Sequence, residues 1–291
     1  MRFLISCLFL TVLAVGPVLR AADSTLPPTE ALAWGAGTGW MNLHANGVHG
    51  VVVGSCFLAG KAWSGGLGWI NFGDGDPANG HRYSNTDGGD FGVNHDGLGR
   101  LSGLAWGAGI GWVNFGWAQA DDPNAPRVDL LTGHFAGLAW SASTGWIQLG
   151  TGQLRTATIF DADSDFDGIS DAWEHQWFGT LAAANAVSDA DHDGAGDWHE
   201  HHALTNPIQP ASKLRTLHHE PVSGGERLSV TFASQPGRFY RIQISLDLLN
   251  WQDSDAGLIQ PDPGTSTTRL IRSLSPAQTF VRLQPVKPLQ P

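Results

Sequence analysis

The chain has 291 residues, with 38 Gly, 13 Trp, 42% hydrophobic residues and only 15% charged ones. That profile excludes a coiled coil, a helical solenoid and a charge-rich disordered protein, and it favours turn-dense β-structure. The net charge of −11 argues against duplex nucleic acid as a partner and for a cation.

Met1-Arg2 precedes an apolar run from Phe3 to Leu19, followed by Arg20-Ala21-Ala22 and the polar Asp23-Ser24. A short apolar segment ending in small residues predicts a cleaved signal peptide over residues 1–22 and an exported, secreted or cell-surface chain. No later segment approaches the length of a membrane span, so none is expected in the mature protein. Removing the leader removes Cys7 and leaves Cys56 alone in the apolar run Val51–Leu58, where it reads as a small buried residue with no disulfide partner.

Residues 23–152 contain a repeat of paired tryptophans. Ala33-Trp34 with Gly39-Trp40-Met41-Asn42-Leu43 aligns with Ala62-Trp63 and Gly68-Trp69-Ile70-Asn71-Phe72. Ala105-Trp106 with Gly111-Trp112-Val113-Asn114-Phe115, and Ala139-Trp140 with Gly145-Trp146-Ile147-Gln148-Leu149, complete the set. The spacings between units are 29, 43 and 34 residues, which places insertions in loops between constant structural units. Each unit predicts a hairpin whose tight turn is the small, Gly-rich stretch between the tryptophans. A preceding apolar strand makes it a three-stranded meander, truncated in the first repeat. Alternation puts Met41 and Leu43 on one face and Trp40 and Asn42 on the other. Two readings of the tryptophans stand side by side: a ladder of rings packed between repeats, or platforms on which sugar rings stack at Trp40, Trp69, Trp112 and Trp146. In the second, Asn42, Asn71, Asn114 and Gln148 would donate hydrogen bonds. The pattern resembles a G-x-A-W-x4-G-W-I-N-F repeat of exported proteins from environmental bacteria, a likeness that carries no activity with it. The insertion Gly73–Gly92 holds Asp74, Asp76, Asp87 and Asp90 and reads as a solvated loop, with a further cation site as the alternative.

Residues 153–210 carry the sharpest chemical signal. Leu154–Phe160 reads as a strand. Asp163, Asp165, Asp167, Gly168, Asp171 and Glu174 then occupy positions 1, 3, 5, 6, 9 and 12 of a twelve-residue loop. Asp189, Asp191, Asp193, Gly194, Asp197 and Glu200 repeat the pattern 26 residues on. Oxygens at alternate positions converge on a cation when the chain curls, glycine at position 6 permits the turn, and the carbonyls of Ile169 and Ala195 at position 7 point inward. Glu at position 12 closes the shell. Such a ligand set predicts calcium rather than magnesium. A helix follows each loop, with Ile169, Trp173 and Trp177 on one stripe of the first. The tandem resembles dockerin modules and thrombospondin type 3 repeats, which implies calcium binding; ordering of the loops by the bound ion would make the segment a rigid spacer. It departs from dockerins in having Glu174 and Glu200 at position 12. His199, His201 and His202 lack a matching ligand set for zinc and read as solvated helix-end residues.

Beyond the linker Asn206–Pro210, residues 211–291 predict strands at Arg227–Phe232, Phe239–Leu246, Thr267–Ile271 and Thr279–Leu283. The stretch Gly237–Trp251 resembles the P-G-x-x-Y-x-I-x-x-S-x-D-L-x-x-W signature of small C-terminal β-sandwiches in exported verrucomicrobial-type proteins. The resemblance implies a fibronectin-type-III-like sandwich with Trp251 in its core. No G-x-S-x-G, H-E-x-x-H, P-loop or C-x-x-C motif is present, and nothing singles out a catalytic pair among Asp96, Asp121, Asp122 and Asp129. The expected fold is mainly β: Trp-repeat meanders, a calcium-loop tandem and a sandwich. The expected function is a calcium-binding structural or interaction module of the cell surface or extracellular space, contacting an extracellular polysaccharide or a surface protein. The alternatives are a glycan-binding protein and a polysaccharide-active enzyme.

Overall fold

A computed structural model describes residues 24–46, 49–119, 121–275 and 278–290. The predicted signal peptide lies outside the described residues. The fold is mainly β, with antiparallel pairing throughout the named strands. In the first half the strands are β1 (Leu32–Gly35), β2 (Gly39–Asn42), β3 (Val52–Val53), β4 (Leu58–Ser64), β5 (Gly68–Gly73) and β6 (Val93–His95). They continue with β7 (Leu101–Gly107), β8 (Gly111–Asn114), β9 (Arg127–Val128), β10 (Phe135–Ala136), β11 (Leu138–Ser141) and β12 (Gly145–Gln148).

Each tryptophan pair spans one tight hairpin, with Trp34, Trp63, Trp106 and Trp140 directly opposite Trp40, Trp69, Trp112 and Trp146. The hairpins then pair with one another in the order β2-β1-β12-β11-β8-β7-β5-β4, and β4 pairs back to β2. The result is a closed antiparallel barrel of eight strands, in which each repeat supplies a quarter of the ring. Closure satisfies every ladder edge of these strands.

The sequence motif follows from the size of that barrel. Inside, Ala33 faces Met41, Ala62 faces Ile70, Ala105 faces Val113 and Ala139 faces Ile147, all at most 3% exposed. A narrow barrel has room for one small and one larger side chain per hairpin, so alanine recurs before the first tryptophan of every pair. At the turn end, Ser64 Oγ donates to the carbonyl of Thr38 and Ser141 Oγ to that of Ile110, which ties neighbouring hairpins together. At the other end the strands bend at glycines. Gly60, Gly103 and Gly137 have φ of +94°, +83° and +83°, and a Cβ on any of them would run into a backbone carbonyl of the preceding chain segment.

The expected meanders form: β3 pairs β4, β6 pairs β7, and β9 pairs β10, which continues into β11 past the Gly137 bend. Leu154–Phe160 runs as isolated bridges rather than a continuous strand. Leu154 pairs with Ala31, Arg155 with His134, and Phe160 with Gly54. Together with Arg155, whose amide donates to the carbonyl of Glu30, it supplies the outer strand that the first repeat lacks.

Two short helices follow, α1 (Asp171–Phe178) and α2 (Asp197–Ala203). The C-terminal strands are β13 (Thr216–Val222), β14 (Arg227–Ala233), β15 (Phe239–Ser245), β16 (Gln252–Asp253), β17 (Ser266–Arg272) and β18 (Phe280–Val286). They form the sheets β13-β14-β17 and β16-β15-β18, which share a core of Val230, Phe232, Tyr240, Ile242, Ile244 and Ile271. This is a sandwich, built on the alternation of Tyr240, Ile242 and Ile244. Trp251 is not in that core. It lies half-buried on the surface, its Nε1 donating to the carbonyl of Leu248 and the Arg282 guanidinium 4.4 Å above its ring. The Ser245-x-Asp247 motif beside it builds a turn, with Asp247 accepting from the amides of Leu249 and Asn250.

Candidate metal centres and the tryptophan girdle

Both acidic loops curl as the spacing requires. Gly168 and Gly194 at position 6 have φ of +90° and +88°, and Phe166 and His192 at position 4 are also left-handed, at +61° and +60°. The amides of Gly168 and Gly194 donate to Asp163 and Asp189, and those of Ile169 and Ala195 donate to Asp167 and Asp193. Asp171 and Asp197 at position 9 accept from the amides of Ser164 and Ala190. The result is convergence. Asp163, Asp165 and Asp167 each bring an oxygen within 4.8 Å of the others, and Asp189, Asp191 and Asp193 do the same.

The loops concentrate negative charge and buried carboxylate oxygens. Glu174 and Glu200 at position 12 are buried, and both carboxylate oxygens of Glu174 have no hydrogen-bond partner. Asp167 Oδ2, Asp189 Oδ1, Asp191 Oδ2, Asp197 Oδ2 and Glu200 Oε2 are orphaned in the same way, and Asp193 Oδ2 has no hydrogen bond either, only the ion-pair contact with Lys213. Burial first, and then the neighbouring aspartates, push Glu174 up to about 8. The same causes push Glu200 up to about 7, against a hydrogen bond from Thr205. Buried carboxylate oxygens without partners are rare in folded proteins, and a divalent cation satisfies them together. Lys213 reaches the second loop alone, its Nζ donating to the carbonyl of Asp193 and lying 3.4 Å from Asp193 Oδ2.

The two loops are packed on each other. Ile169, Trp173 and Ala184 form a small core against which Trp177, Phe178 and Trp198 pack. His201 is not solvated. It is 3% exposed, edge-on to Trp173, with Nε2 3.2 Å from Ser170 Oγ, and burial holds its imidazole well below the usual histidine range. His202 stacks on Trp198 with ring centroids 3.9 Å apart.

Sequence reasoning missed the junction of the three units. A cavity of about 310 Å³ lies there, lined by His95, Asp161, His201, Arg238 and Lys287 among others. Buried Arg238 donates to the carbonyls of His201 and His202 at the C-terminus of α2 and so holds the sandwich on the segment of the two acidic loops. Lys287 pairs with Asp161 at 3.4 Å. His95 Nδ1 donates to the carbonyl of Gly54, leaving the Nε2 lone pair buried and unpartnered. Cys56 lines the same cavity, and burial pushes its thiol up to about 11. That leaves it protonated and a poor nucleophile at neutral pH.

The outward face of the barrel carries the tryptophans. All eight are between 37% and 52% exposed, Trp40 the most. The aromatic contacts between repeat tryptophans lie within hairpins: Trp63–Trp69 at 5.0 Å, Trp106–Trp112 at 6.5 Å and Trp140–Trp146 at 4.6 Å, all edge-to-face. Among the described residues no ring contact joins paired tryptophans of two different hairpins, so these pairs form an outer girdle, while Phe72 meets Phe115 edge-on between repeats in the core at 5.6 Å. His49, Phe91 and Trp117 flank Trp69, Trp112 and Trp146. In the long insertion, buried Tyr83 and the carboxylates of Asp87 and Asp90 cap loop amides, and no three-ligand cluster forms there among the described residues.

No protein-family model, curated protein or solved structure matches the chain. No helix among the described residues is long and apolar enough to cross a membrane.

Proposed function

We propose that the chain is an exported, calcium-stabilised interaction module, in which two calcium ions hold the barrel and the C-terminal sandwich as one rigid body. One observation carries this reading: the buried, partnerless carboxylate oxygens of Glu174 and the partnerless Oε2 of Glu200 beside two convergent aspartate triads. Calcium would be held in the first loop by Asp163, Asp165, Asp167, the Ile169 carbonyl, Asp171 and Glu174. In the second it would be held by Asp189, Asp191, Asp193, the Ala195 carbonyl, Asp197 and Glu200. Extracellular calcium is plentiful, so affinities of ~10⁻⁴–10⁻³ M suffice for occupancy. Because α2 follows the second loop and Arg238 grips its end, ordering the loop orders the docking of the sandwich.

The test is thermal unfolding of the mature chain in calcium and in chelator. Calcium at 100 times its dissociation constant adds about 2.7 kcal/mol per site. Asp163→Ala combined with Asp189→Ala should melt in calcium where wild type melts in chelator. A double variant that melts like wild type in calcium refutes the reading.

A further inference from the structure

The hairpin register places side chains from neighbouring repeats into one recurring group. Across the seams between hairpins, Trp34 lies opposite Gln148, Trp63 opposite Asn42, Trp106 opposite Asn71 and Trp140 opposite Asn114. Each hairpin's pair of exposed indoles is thus extended by a side-chain amide from the hairpin before it in the ring. We propose that these four groups are binding platforms for a neutral polysaccharide. In each, a pyranose ring stacks on the indoles, and in the three that carry asparagine the amide donates to one of its oxygens.

The amides are oriented for this role. The Oδ1 atoms of Asn42, Asn71 and Asn114 accept hydrogen bonds from the backbone amides two residues on, at His44, Gly73 and Gly116. That fixes which end of the amide is which. It leaves Nδ2 as a donor with no hydrogen bond among the described residues, on half-buried side chains that reach the surface. Gln148 departs from the set, since its Nε2 donates to the carbonyl of Gly150. The platform of Trp34 and Trp40 therefore relies on its indoles, which include the most exposed ring of the girdle.

Charge and shape select the ligand class. The hairpin tips read Gly-Ala-Gly-Thr, Ser-Gly-Gly-Leu, Gly-Ala-Gly-Ile and Ser-Ala-Ser-Thr, and Lys61 is the one ionisable residue on the outward rows of the eight barrel strands. A girdle whose strands carry a single lysine offers little to a polyanion, and a chain of net charge −11 repels it at long range. A bilayer is disfavoured because the tips carry no exposed large apolar side chain, with Ile110 buried and Leu67 half-buried, and their turn backbone would lose its water in hydrocarbon. A globular partner is disfavoured because the four groups face outward from the four quarters of a convex ring, and one docking face reaches only some of them. A flexible neutral polymer can engage several platforms at once, so weak individual contacts add through effective concentration. Exposed indoles with one convergent donor supply the apolar and polar halves of sugar recognition.

The experiment is affinity electrophoresis of the mature chain in gels containing xyloglucan, galactomannan, hydroxyethylcellulose or soluble starch, with sedimentation on chitin and cellulose. Phosphatidylcholine vesicles form a separate arm. Retention on at least one neutral polysaccharide is expected, equal in calcium and in chelator, because no girdle residue lies in the acidic loops. Trp40→Ala combined with Trp69→Ala should weaken retention tenfold or more. Asn71→Asp preserves the Oδ1 cap and removes the Nδ2 donor, so it should weaken retention about threefold with the melting temperature unchanged, an effect that a purely structural asparagine would not produce. Absence of retention across the panel, retention untouched by the tryptophan substitutions, binding to the vesicles alone, or binding lost in chelator while the barrel stays folded would each overturn the proposal. The calcium reading stands or falls separately, on the melting experiment.

Discussion

Calcium binding to the first loop should weaken steeply as pH falls from 8 to 6. Glu174 is fully buried, both its oxygens lack partners, and its carboxyl is pushed up to about 8, chiefly by desolvation and then by the four aspartates around it. The ion requires the carboxylate, so below pH 8 it must displace a proton. One proton must leave per ion, so relative to pH 8, where the group is half protonated, the apparent dissociation constant should rise about fivefold at pH 7 and about 50-fold at pH 6. The second loop, closed by Glu200 at about 7, should lose only about tenfold at pH 6. Isothermal titration at pH 6, 7 and 8, in buffers of different ionisation enthalpy, reads both the affinity and the protons released. Close to one proton per ion should leave the first loop at pH 6. Glu174→Gln should bind more weakly at pH 8 and lose most of the pH slope. The stability of the chelated protein follows the same linkage. A folded-state value raised above the unfolded value of 4.5 contributes stability that is complete below about pH 4.5 and is lost as pH rises through 8. In chelator the protein should therefore soften towards alkaline pH, while in calcium it should not. Affinity independent of pH between 6 and 8, with no proton release, would refute the argument.

Lys213→Met removes a cation 3.4 Å from Asp193 Oδ2 and should tighten calcium binding at the second loop by about 3–10-fold, read by titration against wild type; unchanged or weaker binding would show that the lysine does not compete with the ion. Gly60→Ala places a Cβ against the carbonyl of Gly50 at φ +94° and should lose more than about 3 kcal/mol or fail to fold. Gly39→Ala, at φ +65° in open space, should lose only about 1 kcal/mol in the same denaturant melts, and equal losses would contradict the bend. Arg238→Met leaves the carbonyls at the end of α2 without their donor and should destabilise the chain by about 2–3 kcal/mol. Cleavage in the linker 206–210 and the segment up to β13 should accelerate in limited proteolysis, and an unchanged cleavage rate would show that the sandwich is held by other contacts.

The candidate metal loops were legible in the sequence because their chemistry is local. Positions 1, 3, 5, 6, 9 and 12 of a single turn of chain fix which oxygens can meet, and the structure brings the Asp163, Asp165 and Asp167 oxygens together, and those of Asp189, Asp191 and Asp193, as that spacing requires. The hairpins were legible for the same reason, since alternation over four residues puts Met41 and Trp40 on opposite faces before any fold is known. The strands of the sandwich core, Arg227–Ala233 and Phe239–Ser245, were likewise carried by their own periodicity. Histidines and Trp251 were not. His201 reads as polar, and its burial comes from Trp173 and Lys287, which lie far from it in the chain.

What the sequence determined by itself is therefore the unit: a hairpin with alanine and an aliphatic residue on one face and two tryptophans on the other, and an acidic loop with its ligands in order. What only the tertiary structure decided is how the units close. Trp34 meets Gln148 and Ala31 meets Leu154 through pairings that span more than a hundred residues, and no local pattern encodes them. Closure settles the question that alternation leaves open, namely which face is inside. Eight strands enclose a bore that an alanine and one aliphatic side chain fill, and two indoles per hairpin cannot enter it. The tryptophans are therefore expelled to the outer surface, where the neighbouring hairpin's amide comes to lie beside them.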